Sequence, residues 1–143
     1  MPHLVILYTP NLDAETDLSV LCRALADTML GLKDEMNKPV FPPGGVRVLA
    51  YPAAHNAVAD GGAAGRAAGG SGDYAFAYLN LRMGRGRSEA VRQQAGEAIS
   101  ATAQAHFAPL FAKRALGLTV QVDEGLEVFD AKHSSLHPLF QKN

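Results

Sequence analysis

The chain lacks a surplus of charge of either sign. Its 143 residues carry 13 Lys and Arg against 14 Asp and Glu, for a formal net charge of −1. Nothing in that balance points to nucleic acid or an anionic membrane surface as a partner. Cysteine occurs once, as Cys22, which excludes an intrachain disulfide and a cysteine-rich metal site. It falls among Leu18, Leu21, Leu25 and Met29 at helical spacing and reads as a core thiol. No apolar run is long enough to span a bilayer, and no charged segment leads into an apolar one as in a secretory leader. The cytoplasm is therefore the expected location. Tryptophan is absent, which carries no information. What remains is an ordinary soluble composition, 48% hydrophobic and 19% charged, suited to a single domain over residues 1–143 with a moderate core.

Residues 3–8 form a nearly continuous apolar run, the pattern of a strand buried on both faces. A turn follows, with Asn11, Asp13 or Asp17 as candidate helix caps. Leu18, Leu21, Cys22, Leu25 and Met29 recur at three and four, so an amphipathic helix is predicted over about residues 13–32. Residues 33–45 turn polar and then rich in proline and glycine, a loop. A second strand over 46–51 sets Val46, Val48 and Ala50 against Arg47, Leu49 and Tyr51. Residues 59–72 are almost entirely Gly and Ala and read as a flexible internal connection. The pattern then repeats. Residues 74–83 alternate, with Ala75, Ala77, Leu79, Leu81 and Met83 opposite Tyr74, Phe76, Tyr78, Asn80 and Arg82. Gly84-Arg85-Gly86-Arg87 turns the chain, and Ser88 can cap a helix whose face is marked by Val91, Ala95, Ala98, Ile99, Thr102 and His106. Pro109 is expected to kink or end it near His106. A fourth strand covers 118–122. Two tandem β-α-β units, each right-handed and parallel, give an α/β (α+β) fold. The tail, 124–143, has isolated apolar residues and no period. It is expected to pack on its own domain or on a neighbouring subunit.

The chemistry begins at Met1-Pro2. If Met1 is removed, Pro2 becomes a free secondary amine at the head of a core strand. An α-amine titrates near ~8, and burial and nearby cations bring it toward neutrality, where a proton shuttle works best. If Met1 stays, the Pro2 nitrogen is an amide and no such chemistry is open to it. A proline after the initiator is also a common way to begin a chain. The turn 84–88 offers two glycines, a helix N-terminus and the fork of Arg87, a combination able to take a carboxylate. The same residues also make a plain turn, and their spacing fits neither a P-loop nor a dinucleotide fingerprint. Arg47 is unusual inside a short apolar strand; an outward or salt-bridged arginine is the alternative. Among the five histidines, His133 and His137 are four apart, but the tail supplies neither a third ligand nor an accompanying Glu. His106 reads as structural, His55 as loop, and His3 as packing on the face opposite Pro2.

Taken together, these pieces resemble the tautomerase superfamily, most closely the 5-carboxymethyl-2-hydroxymuconate Δ-isomerases. The resemblance is carried by Met1-Pro2-His3, Phe41-Pro42 with Gly45-Val46-Arg47, Asp73-Tyr74-Ala75-Phe76, Gly84-Arg85-Gly86-Arg87-Ser88, Arg92-Gln93-Gln94-Ala95-Gly96-Glu97 and His106-Phe107-Ala108. The tail segment Ser135-Leu136-His137-Pro138-Leu139-Phe140 also fits. The Gly/Ala insertion, Pro109 and a more apolar first strand depart from the family pattern. The resemblance implies a four-stranded mixed sheet with two helices on one face, and a homotrimer with sites near subunit boundaries. It implies Pro2 as general base and then general acid, and Arg47 and Arg87 as holders of a small anionic carboxylate substrate. No metal and no organic cofactor is implied. The expected reaction is ketonisation of a dienol di- or tricarboxylate. Phenylpyruvate-type tautomerisation or hydration on the same scaffold, or a non-catalytic trimeric binding module, are the alternatives.

Overall fold

The computed structural model describes residues 2–141; Met1, and so the question of its removal, lies outside them, as do the last two tail positions, 142–143. Strand β1 (His3–Tyr8) leads through a short 3-10 turn into helix α1 (Leu18–Gly31), and β2 (Arg47–Pro52) follows. A five-residue helix, α2 (Ala63–Ala67), precedes β3 (Ala75–Met83), α3 (Glu89–Phe111) and β4 (Leu116–Glu124). The sheet order is β2-β1-β3-β4. Pairing is parallel within each β-α-β unit and antiparallel between β1 and β3, at the join. The expected mixed sheet of two tandem units is what the chain forms.

Alternation decides which side of the sheet the helices cover. Leu4, Ile6 and Tyr8 of β1 and all five odd-numbered residues of β3 are buried. They pack with Leu21, Leu25 and Met29 of α1 and with Val91, Ala95, Ile99, Ala103 and Phe107 of α3. At ~1.5–3 kcal/mol per buried large apolar side chain, this one-sided layer accounts for most of the fold's driving force. Between the helices, the Thr28 and Thr102 hydroxyls meet at 2.7 Å, and His106 Nε2 lies 2.8 Å from Thr16 Oγ1. The structural reading of His106 holds.

Three expectations change. The first strand is not buried on both faces: His3 and Leu7 are exposed and Val5 is half-buried. Continuous apolarity signals a two-sided strand only if the second side is covered along its length, and the described residues leave His3 and Leu7 exposed. Helix α1 begins at Leu18, not near 13, because the Asp17 carboxylate accepts from the amides of Ser19 and Val20 and caps it there. Pro109 does not end α3 near His106; the helix continues to Phe111. Pro109 and Ala105 both lie on the exposed side, so water can solvate the carbonyl that loses its donor. Phe107 and Leu110 anchor the last turn in the core.

The 59–72 segment also has more order than its composition suggests. The Asp60 carboxylate accepts from the amides of Gly62 and Ala64, and Gly65 N donates to Tyr74 Oη at 2.9 Å. Gly62 has φ +97°, and a Cβ there would lie 2.2 Å from the Gly72 carbonyl oxygen. These bonds set the five-residue helix α2 within the connection.

Candidate active site

The three residues singled out in the sequence gather at one end of the sheet, where β1 and β2 begin and β3 ends. Pro2 is buried. His3 pairs with Arg47 on one side and with Arg82 on the other, so continuing the register by one residue sets Pro2 beside Val46 and Met83. Side chains alternate, and Pro2 therefore belongs to the helix face while His3 and Arg47 belong to the open one.

Arg47 and Arg87 reach the same connection, residues 40–46, from different directions. The Arg87 guanidinium donates through Nε and Nη2 to the Val40 carbonyl at 3.2 and 3.0 Å, and through Nη1 to the Gly84 carbonyl at 3.0 Å. Its charge also lies 5.0 Å from the centre of the Phe41 ring, within the range of a cation–π contact. Arg47 uses Nη1 alone, donating to the Gly44 and Val46 carbonyls at 2.7 and 2.9 Å. That leaves its Nε and Nη2 edge, the side-on fork that matches a carboxylate. Arg87 keeps one N–H on each Nη. The two guanidinium groups share no acceptor: Arg87 donates to Val40 and Gly84, Arg47 to Gly44 and Val46.

Electrostatics supports ligand binding at both positions. Among the described residues neither arginine is paired with a carboxylate, whereas Arg23, Arg82, Arg92 and Arg114 all are. Burial lowers the pKa of Arg87, yet an arginine stays charged at neutral pH. A half-buried cation held only by neutral carbonyls gains when an anion arrives.

The turn before α3 holds Arg87 in place through its own bonds. Gly86 takes φ +106°, a backbone conformation open to glycine without strain. The Ser88 hydroxyl caps the helix by accepting from Val91 N, and it donates to Glu35 Oε1 at 2.5 Å. Arg92 Nη1 donates back to the Arg87 carbonyl at 3.0 Å.

The tail crosses the open side of this end. Its 3-10 turn, His137–Phe140, sits on the Pro43–Gly45 turn; a Cβ on Gly44 would approach His137 Nδ1 to 3.0 Å. So the tail does pack on its own domain. Beneath it lies a cavity of about 480 Å³ lined by His3, Arg47, Arg82, Glu127, Asp130 and residues 131–136. Burial, joined by the neighbouring cations Arg47 and Arg82, lowers the His3 pKa, so its ring is neutral at pH 7. Sequence reasoning missed Arg82 and the acidic pair Glu127 and Asp130. The signal was available for Arg82, which shares an alternation face with Tyr78 and Asn80; for the tail acids there was none.

A larger groove, about 1340 Å³, runs between α3 and β4 and includes Arg92, Glu97, Val120 and Glu124. It contains none of Pro2, Arg47 and Arg87, and its size follows from β4 being an edge strand.

Known proteins match this chain along nearly its whole length. The family model for 5-carboxymethyl-2-hydroxymuconate isomerase matches residues 2–140. A 5-carboxymethyl-2-hydroxymuconate Delta-isomerase from Escherichia coli is 30% identical over 141 residues, 99% of this chain and 100% of that protein. A crystal structure of a 5-carboxymethyl-2-hydroxymuconate delta-isomerase superposes with a TM-score of 0.97 at 63% identity, covering 100% of this chain and 95% of the other. The 5-carboxymethyl-2-hydroxymuconate isomerase from Deinococcus radiodurans R1 gives 0.80 at 33% identity, with 99% and 95% covered. The chain belongs to the 5-carboxymethyl-2-hydroxymuconate isomerase family and is an isomerase of the tautomerase type.

Proposed function

We propose that this isomerase converts 5-carboxymethyl-2-hydroxymuconate, or a closely similar dienol carboxylate, to its 2-oxo isomer with Pro2 as the single acid–base group. The full-length family match supports the reaction class, and the convergence of a buried Pro2 with two acid-free arginines on one sheet end supports the site. With Met1 removed, the Pro2 nitrogen takes the proton of the 2-hydroxyl as the C2 oxygen becomes a carbonyl. The electron pair moves along the conjugated chain, and the same nitrogen returns a proton at C5. No atom is gained or lost. The arginines hold carboxylates, draw charge from the developing dienolate, and lower the proline pKa by proximity. Each well-placed donor to such an oxyanion contributes about 2.7–4 kcal/mol.

The homotrimer belongs to the same proposal. On the open sheet face Leu7, Leu49 and Tyr51 are 45%, 44% and 49% exposed, a run of apolar surface that a neighbouring sheet could cover. Arg47 and Arg82, with His3 between them, lie at the rim of that face, where a subunit boundary would leave them reachable. No helix among the described residues is long and apolar enough to cross a membrane, which fits action in the cytoplasm on an anionic product of aromatic ring cleavage.

The test is ultraviolet-monitored ketonisation, with mass in solution measured on the same sample. Conversion far above the buffer rate from a trimer is the expected result. Turnover of phenylpyruvate enol alone would move the substrate assignment, and no turnover of any enol would favour a binding module.

A further inference from the structure

We propose that Arg82 binds a third substrate carboxylate, the one carried by the carboxymethyl arm, and so sets the preference for a tricarboxylate over a dicarboxylate. This inference rests on the isomerase reading of the same site. The register places Arg47, His3 and Arg82 side by side on β2, β1 and β3, all on the open face. Neighbouring strands lie about 4.8 Å apart, so the two arginines flank His3 across roughly 10 Å of sheet. All three line the 480 Å³ cavity under the tail, a volume within the usual range for a small-molecule site.

The chemistry of the ligand asks for such a group. A muconate is a diacid, and the carboxymethyl arm adds a third carboxylate. Arg47 and Arg87 can match two of them, and a third brought into the cavity unmatched would be costly to desolvate. Arg82 is placed to meet it because its own strand does not use it. On β3, Tyr78 is hydrogen-bonded to Gln121 of β4 at 2.8 Å and Asn80 to Asp123 at 2.7 Å. Asp123 is the cross-strand partner of Arg82, but Asn80 holds its carboxylate. Arg82 turns to the tail, where Nη2 lies 3.5 Å from Glu127 Oε1, with both side chains about half exposed at 54% and 41%. An exposed pair at that distance contributes little, and a substrate carboxylate can replace Glu127. The tail's other acid in the cavity, Asp130, is engaged by Lys132. His3, neutral between the two arginines, can hydrogen-bond the arm without adding charge.

The experiment compares 5-carboxymethyl-2-hydroxymuconate with 2-hydroxymuconate, which lacks the arm, on wild type, Arg82→Gln and Arg82→Lys. Loss of one charge-assisted contact corresponds to about 10- to 100-fold. The expected result is a fall of that size in the ratio of kcat/KM for tricarboxylate over dicarboxylate in Arg82→Gln, with partial recovery in Arg82→Lys. An unchanged ratio, including an equal loss on both substrates, overturns the proposal. A second arm does not depend on turnover: calorimetric binding of tricarballylate and adipate, saturated acids with three and two carboxylates. Wild-type preference for tricarballylate that disappears in Arg82→Gln supports the assignment. No wild-type preference, or one that Arg82→Gln retains, refutes it. If neither substrate turns over, the isomerase reading falls, while the calorimetry still decides what Arg82 binds.

Discussion

Arg87→Ala should cost stability as well as activity, and the structure gives the size of the first effect. The side chain donates to two backbone carbonyls, Val40 and Gly84, through three hydrogen bonds, and sits over the buried ring of Phe41. A hydrogen bond from a charged group contributes about 1.5–3 kcal/mol and the ring contact about 0.5–1 kcal/mol. Two of the bonds share one acceptor, and water can reach part of the site, so about 2–3 kcal/mol net is expected. For a chain of this length that lowers Tm by about 6–12 °C. Arg47→Ala is the comparison, since it removes two bonds, to the Gly44 and Val46 carbonyls, and no ring contact. It should move Tm by no more than a few degrees while reducing kcat/KM about 10²- to 10³-fold. Thermal unfolding and steady-state kinetics on the same preparations check both. An Arg87→Ala protein that melts with wild type would refute the view that this guanidinium holds the 40–46 connection. Equal destabilisation by both variants would refute the division of labour between the two arginines.

Acid should weaken the fold through His106, whose pKa burial holds below its usual value against the opposing pull of Asp17. A histidine with a depressed folded-state pKa binds fewer protons folded than unfolded, so its contribution is present above ~6.5 and is lost as pH falls toward the folded value. His106→Gln should flatten that part of the stability profile between pH 7 and 5, measured by urea denaturation; an identical slope would assign the acid sensitivity elsewhere. Pro109→Ala restores a donor to the last turns of α3 and should raise stability by about 1 kcal/mol or more, because the helix already runs past this position. A lowered Tm would mean that the proline is shaping the C-terminal turn.

Much of the fold was legible because burial here is one-sided and periodic. The alternation in β3 placed Ala75, Ala77, Leu79, Leu81 and Met83 in the core, and all are buried. The i, i+3, i+4 spacing of Leu18, Leu21, Leu25 and Met29 did the same for α1. The first strand misled, because continuous apolarity implies cover on both faces, whereas His3 and Leu7 stay exposed on the second face of β1. Pro109 misled because the penalty for an interior proline depends on whether the orphaned carbonyl faces core or water, which a sequence does not state. Arg47 and Arg87 stood out as arginines in places where strand and turn physics did not require them. What could not be read was the dependence of Arg87 on the Val40 carbonyl, since that contact joins chain 47 residues apart. The tail was opaque for the same reason: its docking depends on the bare backbone of Gly44, not on any periodicity of its own. Arg114 also escaped notice, though it ties Glu15 to Asp73 and joins the first turn to the start of β3.

The most direct test of the proton-transfer mechanism compares two forms of the same chain in ketonisation of 5-carboxymethyl-2-hydroxymuconate. In one, mass spectrometry confirms loss of Met1; in the other, a residue ahead of Pro2 is retained so that its nitrogen remains an amide. Circular dichroism would verify that both are folded. Rapid turnover by the first form and a rate near buffer for the second is the expected result. Equal turnover by the two forms would contradict the assignment of Pro2 as the acid–base group, and with it the account of why a proline heads the central strand.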